Sequence, residues 1–86
     1  MYYILVYDVN QKRVNKMLKL LRKYMNWVQN SVFEGELSDS QIEKLKHEIK
    51  KLINPNEDSV IIYAMEEKWL GRDIIGLEKK EIGNII

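Results

Sequence analysis

Eighty-six residues, 45% of them apolar, with no cysteine and a net charge of +1, make one small domain held by packing rather than by disulfides or thiolate metal sites. No apolar run approaches the roughly 18 residues of a membrane span, and the start MYYILVYD has neither a basic leader nor a small-residue cleavage site; a cytoplasmic, membrane-free protein is expected. The charge is uneven: residues 1–33 carry six Lys/Arg against the single acid Asp8, whereas residues 34–86 carry eight basic and twelve acidic side chains, an asymmetry that points weakly to a polyanion-facing surface.

Residues 2–8, YYILVYD, are β-prone and apolar on both faces, which suits a central strand covered on both sides. Asn10 can cap a helix over about residues 11–25, with Val14, Met17, Leu18, Leu21, Tyr24 and Met25 at helical spacing. Lys12, Lys16, Lys19 and Lys23 fall on one stripe opposite that apolar face, because each residue advances by about 100°. The stretch NWVQNSVFEGEL turns β-prone, and residues 27–37 read as two short strands or one bent ribbon, irregular near Asn30 and Ser31.

Ser38 and Gln41 form the S-x-x-Q version of a capping box. Ile42, Leu45, Ile49, Leu52 and Ile53 then supply the buried face of a second helix that stops at Asn54-Pro55. After the turn cluster NPNEDS, residues 59–65 form another apolar strand. The order β-α-β-β-α-β predicts an α+β, ferredoxin-like domain over residues 1–66, with both helices on one face of an antiparallel sheet. Residues 67–86 form an extra C-terminal strand or tail that keeps Trp69, Leu70, Ile74, Ile75, Leu77, Ile82, Ile85 and Ile86. Two placements satisfy these side chains, the sheet of a second subunit or the chain's own uncovered sheet face.

Few residues can carry chemistry. His47 is alone among charged helix neighbours, and without a second histidine or a cysteine neither a zinc site nor a Ser-His-Asp arrangement is expected. The glycines do not follow phosphate-loop spacing, and neither SVFEGEL nor SVIIYAM carries the aromatic pattern of RNA-recognition domains. Asp8 remains, and two readings of it stand: a turn residue that satisfies local backbone, or half of a metal site. The second needs another carboxylate, since Mg²⁺ is held by one or two carboxylates with waters, and a homodimer with its axis near the strand end would supply it as a second Asp8. Two such acids would share a raised apparent pKa until a cation bound between them. The lysine stripe likewise reads either as a solvated face or as a phosphate contact.

The string YYILVYDVN, a basic first helix ending LLRKY, and VQNSVFEGEL together resemble the small CRISPR-associated Cas two proteins over about residues 1–65. That resemblance implies a ferredoxin-like homodimer acting in spacer acquisition, where it bridges the partner integrase, the Cas one protein. It also implies a metal-dependent nuclease, with Mg²⁺ or alternatively Mn²⁺, acting on RNA or DNA. Asp8 matches the family's metal-binding and catalytic aspartate; Lys12, Arg13, Lys16 and Lys19 lie where first-helix basic residues are expected to contact nucleic acid. Phe33 falls in the family's S-x-F-like segment. Two positions depart from the family pattern: Asn10, where many relatives have a second acid, and Trp27, where a basic residue is common. Three functions therefore stand: a Mg²⁺-dependent phosphodiesterase, a non-catalytic dimeric adaptor for nucleic acid and integrase, and a ligand-sensing module of the same fold.

Overall fold

A computed structural model describes residues 1–79. The elements run β1 (Tyr2–Asp8), α1 (Gln11–Arg22), β2 (Asn26–Gln29), β3 (Val32–Glu36), α2 (Asp39–Leu52) and β4 (Ser59–Met65). The four strands form one antiparallel sheet in the order β2-β3-β1-β4, which is the ferredoxin-like arrangement the element order predicts.

Alternation along β1 decides what each face carries. Tyr3, Leu5 and Tyr7 are buried and join Met17, Leu20, Leu21 and Met25 of α1 and its final turn, Phe33 of β3, and Ile42, Leu45 and Ile49 of α2 in one core. Tyr7 meets Phe33 with ring centroids 6.3 Å apart. Gly35 lies on this side against the end of α1; an added Cβ would make van der Waals contact with Met25 Cα at 3.4 Å, so the strand and the end of α1 pack closely here.

The second face is different. Ile4 and Val6 are only half-buried, and their partners across β4, Tyr63 and Ile61, are 55% and 50% exposed. The expectation that β1 is covered on both sides holds for the helix face alone, because both helices take the same side and nothing as thick lies opposite.

Helix boundaries follow local hydrogen bonding. Asn10 Oδ1 accepts the Lys12 amide at 3.0 Å and starts α1. The helix closes at Arg22 rather than near residue 25, because the amides of Lys23 and Tyr24 turn back three residues, to Leu20 and Leu21, a tightening common at helix ends. Both halves of the Ser38/Gln41 capping box are present at α2. Asn30 takes a positive φ of 44°, a conformation asparagine tolerates better than most residues, and so makes the tight connection between β2 and β3.

Among the described residues no fifth strand follows β4. The tail is fastened by polar contacts: the Trp69 indole N–H donates to Glu34 Oε1 at 3.0 Å, and Arg72 pairs with Glu34 Oε2. Lys68 and Arg72 also lie over the Trp69 ring, 4.7 and 4.4 Å from its centroid. Leu70, Ile75 and Leu77 stay exposed, and Ile82, Ile85 and Ile86 lie outside the described residues.

Candidate metal and nucleic-acid site

Asp8 is the last residue of β1 and shares the pleat of Ile4 and Val6, pointing away from the helices. Its cross-strand partner is Ser59, and below that pair come Val6–Ile61 and Ile4–Tyr63. The acid therefore stands at the end of the open apolar face. Its carboxylate is exposed and has no hydrogen-bond or ion-pair partner among the described residues.

Whether these residues suit a metal follows from the donor set. Among the described residues of one chain no three His, Cys, Asp or Glu side chains gather to hold an ion. One free carboxylate with open solvent around it fits a hydrated Mg²⁺ or Mn²⁺ as half a site. A second chain laid on the open face would bring the other half.

Lys12, Lys16 and Lys19 on α1 and Lys23 just past its end are all exposed. They do not share a surface with Asp8 throughout, because α1 covers the opposite side of the sheet. Lys12 lies in the first turn of α1, which begins three residues after Asp8; at about 1.5 Å per residue Lys16 sits roughly 6 Å and Lys19 roughly 10 Å further along the helix than Lys12.

Arg13 occupies a different setting from the lysines. Its Nε donates to Asp58 Oδ2 at 2.6 Å, and its Nη2 donates to Glu57 Oε1 at 2.7 Å and to Asp58 Oδ1 at 3.1 Å. Asp58 also accepts the backbone amides of Asn10, at 2.7 Å, and Asn54, at 2.9 Å, and its side chain has no solvent exposure. The Arg13 guanidinium holds the Asp58 carboxyl well below the usual carboxylate range, with the two backbone amides adding to it against the opposing effect of burial. Asp58 and then Glu57 push Arg13 in the other direction, above its ordinary value. Sequence reading placed Asp58 only in a turn cluster; its partner Arg13 is 45 residues away, and no local spacing connects them.

Burial pushes the Tyr7 hydroxyl above its ordinary value, consistent with an inward-facing ring rather than a base-stacking one. Tyr2 is raised by burial first and by the charge of Glu34 second, which places it in the tail anchorage.

The fold and this site define a ferredoxin-like α+β domain with a single free carboxylate closing its central strand. Residues 1–73 match the family model described as CRISPR associated protein Cas2. A protein of Thermotoga maritima named "CRISPR-associated endoribonuclease Cas2" is 56% identical over 99% of both chains; one of the same name from Dictyoglomus turgidum is 52% identical over the full length of both. The crystal structure described as "Crystal structure of cas2" superposes with a TM-score of 0.86 at 45% identity, covering 100% of this chain and 98% of that one. Streptococcus pyogenes Cas2 at pH 6.5 gives a TM-score of 0.70 at 30% identity, covering 83% of this chain and 100% of that one. The chain belongs to the CRISPR-associated Cas2 family.

Proposed function

We propose that this chain is a divalent-metal-dependent endonuclease of CRISPR spacer acquisition, acting on RNA phosphodiesters as a homodimer and bridging the partner integrase. The endoribonuclease names of the relatives support the reaction class. The observation that carries the reading is the position of Asp8: an unpartnered carboxylate at the end of an open apolar face, where a second copy would both cover Ile61 and Tyr63 and supply a second Asp8.

Mg²⁺, or Mn²⁺ in its place, would be held by Asp8 from each of two chains; when bound it lowers the pKa of its water and neutralises phosphate charge. Lys12, Lys16 and Lys19 bind the nucleic-acid backbone through their charges. Arg13, whose charge is matched by Asp58 and Glu57, contributes less to that contact.

Asp8→Asn keeps the size and the turn-forming capacity of the side chain while removing its charge. Cleavage of single-stranded RNA in Mg²⁺ is expected to fall at least about 100-fold, with the dimer retained in sedimentation. Wild-type cleavage by this variant would sink the nuclease reading; spacer integration that proceeds unimpaired alongside lost cleavage would show that the chain serves acquisition as an adaptor.

A further inference from the structure

We propose that Asp58 is a positioning residue for Asp8: a buried carboxylate that clamps the chain just after the metal-binding acid and just before its cross-strand partner, and so fixes the backbone from which the acid projects. The inference rests on the reading of Asp8 as metal ligand. It adds a residue that carries no ligand role and lies in the turn before a different strand.

The clamp is visible in the partners of one side chain. Asp58 Oδ1 accepts the Asn10 amide, and only Val9, itself packed against the core, separates Asn10 from Asp8. Asp58 is also the residue before Ser59, the cross-strand partner of Asp8. The backbone following Asp8 and the backbone opposite it are thus tied to one group. That group is itself immobilised: the Asn54 amide donates to Oδ2, while the amides of Glu57 and Asp58 return to the Asn54 carbonyl. Asn54 Oδ1 accepts the Asn56 amide at 2.9 Å and closes the turn.

The chemistry calls for an ionised aspartate at this place. Four donor contacts converge on its two oxygens, a demand that an asparagine meets on one side only, since its amide nitrogen would face donors on the other. Arg13 supplies the matching charge in a forked contact, so the buried acid adds little field to repel a second Asp8 or to draw the cation away. Fixing a ligand by hydrogen bonds to its surroundings is how metal sites are held in shape, and loss of such a support costs about 10–100-fold in affinity or activity.

The test uses the full chain, Mn²⁺ alone as probe, and two readouts: Mn²⁺ affinity by electron paramagnetic resonance titration, and hydrogen exchange of the Asn10 amide. Asp58→Asn is expected to weaken Mn²⁺ binding about tenfold or more and to speed Asn10 exchange, with Asp8 intact. Ile49→Val trims the core on the helix side, away from Asp8, lowers stability modestly, and is expected to leave Mn²⁺ affinity unchanged. Arg13→Lys retains the charge without the fork; it should give an intermediate loss and serves as the test if Asp58→Asn does not fold. Wild-type Mn²⁺ affinity in the folded Asp58 or Arg13 variant, with affinity lost in Asp8→Asn, overturns the positioning role while leaving Asp8 as ligand. An equal loss in Ile49→Val overturns it as well, by showing a general effect of stability. Wild-type affinity in Asp8→Asn removes the ligand assignment itself.

Discussion

The two sides of the sheet are built from similar residues and reach different ends. On the helix side Leu5, Phe33, Met17, Leu21 and Leu45 are fully enclosed, and the buried carboxylate Asp58 is bound by backbone amides and Arg13. On the open side Ile61 and Tyr63 remain about half exposed, and the buried carboxylate Glu34 is bound by side chains of the tail, Trp69 and Arg72. The first side is complete within one chain. The second has the composition of a core with only part of its cover, and such a face calls for a further surface. One carboxylate stiffens a turn beside Asp8, whereas the other fastens a segment.

Truncating the complete side should have the largest effect. Phe33→Ala removes a side chain with no solvent exposure and is expected to cost about 3–5 kcal/mol in urea unfolding; a loss under about 1 kcal/mol would show that the core collapses around the gap and is less rigid than its packing implies.

Acid comes next, and its sign follows from Asp58. Its folded-state pKa lies below its unfolded one, so the stabilisation is present above about pH 4 and is lost as the pH falls through the folded-state value. Wild-type protein should therefore lose melting temperature steadily below about pH 4, and Asp58→Asn should start lower and show a flatter decline. Parallel curves would mean that the acid-sensitive group lies elsewhere.

The smallest effect on the fold belongs to the open side. Ile61→Ser changes a half-exposed residue and is expected to alter monomer stability by less than about 0.5 kcal/mol, while shifting the sedimentation profile from dimer towards monomer. An unchanged dimer would place the interface on another surface and remove the pairing of Asp8 across it.

Much of this architecture was legible beforehand, for local reasons. The S-x-x-Q cap, the apolar spacing of both helices and the extent of β4 depend on near neighbours in the chain, and the structure reproduces them. Asp8 stood out because an acid ends an apolar strand. The close of α1 at Arg22 was not readable from apolar spacing, which continues through Met25 beyond the last helical residue. Apolar content alone does not give the path of the tail: two placements fit it, and the contact that holds residues 69 and 72 to the chain's own sheet is polar, an indole and a guanidinium on one β3 carboxylate.

What the sequence determined by itself is periodicity: which residues can share a face, where a helix can start, and that an acid closes an apolar strand. Only the tertiary structure decided that both helices lie on the side away from Asp8, leaving that acid on the open face. It also decided that Arg13 meets Asp58 and Glu57 across 45 and 44 residues of chain. The reason is physical: hydrogen-bond caps and amphipathic spacing act over a few residues, whereas a buried ion pair exists only once the fold has removed its two members from water together.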